Sequence, residues 1–267
     1  MLALIIVYYN HPEQLQDFLL SLKKNQTKEI KLFIADLSHN LKLKNSYGLK
    51  IEIIPGTNKG YSHGVNLGLR AALLQDFTKY CVLNYDTYLE SRFVKQVLNR
   101  FKADNFFGGK IYYARGYEYH KSRYQNKDLG KVLWYAGGEI NWAHATVTHR
   151  GVDKIDQGQY NQAQVTGFIP GTLMAFTKEV IEKVGFWDER FFLYYEDTDY
   201  CVRAMKMGYK LTYDPKIIIW HKNAGITGGA GSQLHVKHQR YSRLLFGIKH
   251  APFRTKAHLV INYLLQK

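Results

Sequence analysis

At 267 residues, with 46% hydrophobic and 22% charged side chains, the chain has enough apolar material for one core and too little length for two full domains. Its formal charge of +15, from 37 Lys and Arg against 22 Asp and Glu, points to an anionic partner. Nucleic acid, anionic lipid and nucleoside diphosphate all qualify, and charge alone does not choose among them. Cys81 and Cys201 lie far apart with no CxxC spacing, so neither a disulfide framework nor a zinc site is suggested, and no apolar run approaches the roughly 18 residues of a membrane-spanning helix.

Met1 to Val7 lacks a basic stretch and a small-residue cleavage site, so it reads as a first strand and not as a signal peptide; Leu2 to Tyr9 is almost continuously apolar. Pro12 near a helix start, then Leu15, Phe18, Leu19 and Leu22, predict an amphipathic helix. Ile30 to Ala35, ending on Asp36, and Ile51 to Ile54 repeat the strand signal; Val65, Leu69, Ala72 and Leu73 mark a second helix, and Tyr80 to Leu83 another strand. Three strand-to-helix units within about 90 residues describe an open, mostly parallel α/β sheet with a ligand site beyond the carboxyl ends of its strands.

From Phe106 to Gly167 the pattern loosens into short aromatic strands such as Ile111-Tyr112-Tyr113 and polar loops. Order returns with a strand over Thr172 to Phe176, a short helix over Lys178 to Val184, and a helix from Glu196 to Met207 closed by Gly208. Tyr209 to Tyr213 and Ile217 to Trp220 read as two further strands. Residues 233–267 mix Leu244, Phe246, Ile248, Leu259, Val260 and Leu264 with Lys237, Arg240, Arg243, Lys249, Arg254 and Lys256, a basic amphipathic composition suited to an anionic membrane surface.

Four places carry residues suited to chemistry. Asp36, at a strand end, has the carboxylate to accept from a base or ribose, or to cap a turn. Asn58-Lys59-Gly60 through Gly68 packs three glycines and two asparagines into a helix start, a composition that turns backbone N–H groups toward an anion or simply makes a turn; it is neither a Walker loop nor GxGxxG. Asn84-Tyr85-Asp86 follows an apolar strand, a place where one carboxylate can hold a divalent cation bridging two phosphates, although a single carboxylate is a sparse metal site, and His221 after Trp220 is either a further imidazole ligand or a structural residue. Glu196, Asp197 and Asp199 gather three acids within four residues at a helix start, which fits a cap as well as an active site. The aromatic run Phe191 to Tyr195 before them suggests the edge of an apolar cleft that shields a base from water.

These pieces occur together and in one order: Val7-Tyr8-Tyr9-Asn10, Asp36-Leu37-Ser38, Asn58-Lys59-Gly60 to Gly68, Leu83 to Thr87, Trp134 to Ile140, Gly171 to Met174, Gly185 to Phe192, Tyr195 to Asp199, and Trp220-His221-Lys222. In that order the chain resembles the family 2 glycosyltransferases of GT-A fold, in particular bacterial rhamnosyltransferase-like enzymes of O-antigen, capsule and cell-wall synthesis, from residue 2 to about 230. The resemblance implies a GT-A domain over 1–230, nucleotide-binding in 1–105 and acceptor-binding in 106–230, with 231–267 as a basic extension.

It further implies that Tyr8, Asn10, Asp36, Asn58, Gly60, Asn84 and Asp86 serve the nucleotide sugar, UDP- or dTDP-linked, and that Asp86 and His221 hold Mg²⁺ or Mn²⁺. Glu196, Trp134, Gly171 and Thr172 would meet a glycan or lipid-pyrophosphate-linked acceptor, with Asp197 as the base of an inverting transfer and Asp199 as a helix cap. Localisation would be cytoplasmic, peripheral on the inner membrane face. The family's usual first acid is replaced by Asn84, Tyr8 stands where Thr or Ser is usual, and Leu37 where Asn is usual. The rival readings are an inactive sugar-binding relative, suggested by the incomplete acidic motif, and a polyanion binder, suggested by the charge, although no RNA- or DNA-binding motif accompanies it.

Overall fold

The computed structural model describes every residue except 26, 44–45, 224–232 and 266–267. The first half runs β1 (Leu2–Tyr8), α1 (Pro12–Lys23), β2 (Ile30–Asp36), β3 (Ile51–Pro55), α2 (Tyr61–Leu73), β4 (Lys79–Leu83), β5 (Thr87–Leu89) and α3 (Phe93–Arg100). Then follow β6 (Phe106–Tyr113), β7 (Leu133–Tyr135), β8 (Gly138–Asn141), β9 (Thr146–His149), β10 (Gln164–Val165) and β11 (Leu173–Thr177). The chain continues through α4 (Lys178–Val184), α5 (Glu196–Lys206), β12 (Thr212–His221), α6 (Gln233–His250) and α7 (Phe253–Leu264).

The main sheet has the order β10-β12-β6-β11-β4-β1-β2-β3. β1 is parallel to β2 and β4, β2 to β3, and β6 to β12, while β11 runs antiparallel between β4 and β6. β1 is buried along its whole length because both sheet faces are covered, which is why its sequence is apolar throughout and not alternating. Leu2, Leu4, Ile6 and Tyr8 enter the layer packed with α1, and Ala3, Ile5 and Val7 enter the opposite layer with α2.

The glycines of α2 set its distance from β1. A Cβ at Gly64 would stand 2.4 Å from a Val7 methyl, and one at Gly68 2.5 Å from an Ile5 methyl. Spaced four apart, they form a smooth stripe that lets the helix settle on the strand. Their role is close packing, where the composition had also suggested an anion cradle.

Three elements depart from the expected pattern. α3 had no clear signal, since its eight residues bury only Phe93, Val94 and Val97. β6 is one eight-residue strand that extends well upstream of Ile111. The two strands expected around residue 215 are one, β12, whose register against β6 shifts between Asp214 and Ile218; Pro215, lacking an N–H, sits in that irregularity.

The expected extension forms α6 and α7, and its expected boundary at 230/231 lies outside the described residues. Phe246, Ala251 and Leu259 are buried with Phe191, Tyr195 and Val202, so part of the apolar stripe read as membrane-facing is spent on docking to the domain. Among the described residues no helix is long and apolar enough to cross a membrane.

Polar ties strengthen this docking. Asp199 of α5 has a fully buried side chain and receives Lys249 at 2.5 Å, His250 Nε2 at 2.7 Å and Arg203 Nε at 2.8 Å. Burial opposes its ionisation, but His250, Arg203 and Lys249 outweigh that and hold the carboxyl below its usual range. A depressed folded-state pKa stabilises above the unfolded value of about 3.9 and is lost as pH falls through the folded value. Asp199→Ala, which removes the carboxylate shared by Arg203, Lys249 and His250 and leaves Lys249 with Asp188 alone, is therefore expected to cost about 1–3 kcal/mol in urea unfolding at pH 7, with the difference shrinking below about pH 4. An unchanged midpoint would show that the cluster does not clamp α6 to α5.

Candidate active site

A cleft of about 820 Å³ opens beyond the carboxyl ends of β1 and β4, where open α/β sheets bind ligands. Its walls come from both halves: Tyr9, Leu37, Asn58, Gly60, Tyr61, Asn84 and Asp86 on one side, and Trp134, His149, Gly171, Thr172, the 192–198 segment and His221 on the other. Thus Asn58, Gly60, Asn84, Asp86, Trp134, Gly171, Thr172, Glu196, Asp197 and His221 of the expected site residues converge.

Tyr8, Asn10 and Asp36 do not line it. Tyr8 points into the α1 layer, its ring 5.4 Å from that of Tyr85, because side chains alternate along β1; Val7 and Tyr9 take the cleft side. Asp36 spends its carboxylate on its own loop, accepting from Ser38 N at 2.9 Å and Ser38 Oγ at 2.7 Å through Oδ1, and from Leu41 N at 3.1 Å through Oδ2. Asn10 accepts from Asn40 Nδ2 at 3.1 Å.

The acidic run is delivered by a strained loop. Tyr194 and Tyr195 both have positive φ, 69° and 64°, conformations that cost non-glycine residues about 1–3 kcal/mol each and gather at functional sites. The loop is held by α2: Tyr61 N–H donates to Phe192 O at 2.8 Å, Ser62 Oγ to Phe191 O at 2.9 Å, and Asn66 exchanges bonds with both backbone groups of Trp187. The N–H of Tyr61 is therefore taken, and Gly60 N donates to Asn58 Oδ1 at 3.2 Å. Gly60 has φ 105°, and a Cβ there would stand 2.5 Å from Phe192 O.

Asp197 faces the cleft in a defined orientation. Gly171 N donates to Oδ2 at 2.9 Å and Thr198 N to Oδ1 at 2.6 Å. Burial raises its pKa above the ordinary carboxylate value despite those two bonds, which pull the other way, so the ionised group is a stronger base than a solvated aspartate. Glu196 is buried, with Oε2 lacking a hydrogen-bond partner among the described residues, and burial followed by the charge of Asp197 raises its pKa well above the carboxylate range. Both neighbours are thus shifted upward, Glu196 well above the carboxylate range.

Tyr61, absent from the sequence-based site, joins the two sides. Its hydroxyl donates to Asn84 Oδ1 at 2.9 Å and lies 3.2 Å from Gly171 O, and Asn84 Nδ2 reaches Thr172 Oγ1 at 3.4 Å. Burial, then Glu196, Asp197 and Asp86 in turn, raise the phenol's pKa well above its usual value and keep it a donor. Asn84, where the family's first acid is usual, thus works as a neutral connector. His149, also unforeseen, donates Nδ1–H to Trp134 O at 3.0 Å and is lowered to about 4 by burial, so it stays neutral; the Trp134 ring lies between it and His221, at 4.3 Å and 4.9 Å. Only the fold brings these rings together.

Antiparallel pairing of β12 with β5 sets His221 opposite Thr87 and so beside Asp86. His221 Nε2 is 3.3 Å from Asp86 Oδ1, and that buried oxygen has no hydrogen-bond partner among the described residues. An unsatisfied buried carboxylate oxygen next to an imidazole fits a divalent cation. Among the described residues no group of three His, Cys, Asp or Glu gathers for a metal, so two protein ligands would leave the remaining positions to diphosphate oxygens and water.

The family model described as "Glycosyl transferase family group 2" matches residues 81–224. The dTDP-rhamnosyl transferase RfbF of Shigella flexneri is 24% identical over 250 residues, 91% of this chain and 76% of that protein. Among solved structures, the mannosyltransferase PcManGT of Pyrobaculum calidifontis, in complex with GDP-Man and Mn²⁺, superposes with a TM-score of 0.57 at 13% identity, covering 98% of this chain and 69% of that one. TarS 1–349 of S. aureus, in complex with UDP, does so at 0.59 and 14%, covering 97% and 68%. The fold is GT-A, and the chain belongs to glycosyl transferase family group 2.

Gly60→Ala is expected to destabilise the protein by at least about 1–3 kcal/mol in denaturant unfolding, through strain at positive φ and the clash with Phe192 O. Glu196 predicts the opposite. Its folded-state pKa is raised, so its destabilising cost grows as pH rises above the unfolded value of about 4.3. Glu196→Gln should raise Tm by a few degrees at pH 7 and leave it nearly unchanged at pH 4; a fall at pH 7 would show that Glu196 is ionised and paired.

Proposed function

Proceeding from that family membership, we propose that the protein is an inverting glycosyltransferase that moves one sugar from a UDP- or dTDP-linked donor to a glycan or lipid-pyrophosphate-linked acceptor in bacterial surface polysaccharide synthesis. The observation that carries this reading is Asp197, a carboxylate of raised basicity aimed by two N–H groups into a cleft that has the Asp86–His221 pair among its walls. Nucleotide binding is assigned to the wall built from Tyr9, Leu37, Asn58 and Gly60, with Tyr8, Asn10 and Asp36 supporting it from behind.

In the proposed step the acceptor oxygen forms a bond to the anomeric carbon while its proton passes to Asp197. The bond from that carbon to the diphosphate breaks, and its electron pair leaves on the diphosphate oxygen. One displacement from the face opposite the nucleotide inverts the configuration. Glu196, holding its proton, donates a hydrogen bond that orients the acceptor, and Trp134 offers it an apolar ring face. A Mg²⁺ or Mn²⁺ held by Asp86 and His221 would neutralise charge on the departing diphosphate.

Asp197→Asn is expected to lower turnover by about 10²- to 10⁴-fold, measured as nucleoside diphosphate release, with nucleotide binding retained in a thermal shift. His221→Ala should weaken activation by Mn²⁺. The acid limb of the wild-type rate profile should lie above about pH 4, the ordinary carboxylate value, because the base is raised. Near-normal turnover of the Asp197→Asn protein would remove Asp197 from this role.

A further inference from the structure

A second cavity, of about 180 Å³, adjoins the cleft and shares Thr146, Tyr195 and Gln239 with it. Tyr195 caps the helix that begins with Glu196 and Asp197, so the cavity adjoins the end of the cleft to which the acceptor is assigned in the proposed function. The rest of its wall comes largely from α6 and α7, including Arg240, Arg243, Asn262 and Tyr263. These helices lie beyond the segment matched by the family model.

The wall combines amides, tyrosine rings and two guanidinium groups, chemistry that suits a sugar ring bearing an acidic substituent. Neither α6 nor α7 contains an Asp or Glu. Arg243 donates through Nε at 3.0 Å and Nη2 at 2.7 Å to His144 O, which fixes the guanidinium without neutralising it. Its charge reaches the neighbouring Tyr195 phenol and opposes the effect of burial on it. Arg240 is exposed and forms no ion pair among the described residues. A preorganised cation beside a free one, with no acid on either helix, is a built site for an anion.

Resting on the glycosyltransferase reading, we propose that this cavity is a distal acceptor subsite that selects acceptors carrying an acidic group, a phosphate or a carboxylate, next to the sugar whose hydroxyl is attacked. Both groups share the chemistry that Arg240 and Arg243 recognise. The subsite makes the C-terminal helices a specificity element of the transferase.

Calorimetric titration of the nucleotide-free protein tests this with three probes: an octyl pyrophosphoryl monosaccharide, a disaccharide ending in a uronic acid, and a neutral octyl glycoside. Tighter binding of either anionic probe, by about tenfold over the neutral one and weakening with salt, is expected, and the preferred probe identifies the source of the anion. Arg240→Gln and Arg243→Lys should collapse that ratio, the second retaining a charge without the guanidinium fork. Arg254→Gln, an exposed α7 cation outside the cavity, should leave the ratio unchanged. Equal binding of all three probes, or the same loss from Arg254→Gln as from Arg240→Gln, would overturn the subsite. Failure of the transferase reading itself would appear separately, as no nucleoside diphosphate release by the wild-type protein with any nucleotide sugar.

Discussion

The backbone of residues 187–193 crosses the molecule without a sheet or helix to pair with, and its carbonyls must still be satisfied. Side chains and backbone of neighbouring helices meet that need: Asn66 for Trp187, Ser62 for Phe191, the Tyr61 N–H for Phe192, and Ser242 for Leu193. These bonds join α2, the loop and α6 before the chain enters α5. The positions of Glu196 and Asp197 follow from them, because the two left-handed tyrosines that aim α5 persist only when their surroundings over-determine the backbone.

Burial then differentiates the acids by their partners. Asp199 meets Lys249, Arg203 and the His250 ring, which hold its pKa low; Asp197 receives the N–H groups of Gly171 and Thr198, yet burial raises its pKa; Glu196, whose Oε2 lacks a partner among the described residues, is raised well above the carboxylate range. Three residues alike in sequence thus come to differ in how readily each gives up its proton. Tyr61 ties Asn84, two residues before Asp86, to Gly171 through its hydroxyl, so the glycine-rich start of α2 matters to the site mainly by how closely it lets other segments approach.

Much was legible in order along the chain. The apolar runs of β1, β2 and β4, the spacing of Leu15, Phe18, Leu19 and Leu22, and the glycine ending α5 reflect local requirements that a sequence displays directly. Tyr61, His149 and the helices around Arg240 were not legible as site residues, since each owes its place to contacts with other elements of the fold. Tyr8 illustrates the limit within one strand: its motif names the neighbourhood, but the pleat gives the cleft to Tyr9.

By itself, the sequence determined the α/β class, the carboxyl-end location of the site and the candidates Asp86, Asp197 and His221, because strand runs, helix periodicity and motif order are local properties of the chain. Tertiary structure alone decided in which direction each acid of the run is shifted, that His149 packs against Trp134 in the cleft, and that Asp36 closes a loop instead of lining it. Those outcomes depend on dielectric, charge and hydrogen-bond partners supplied by residues distant in sequence, and burial turns these into chemistry only once the segments have packed.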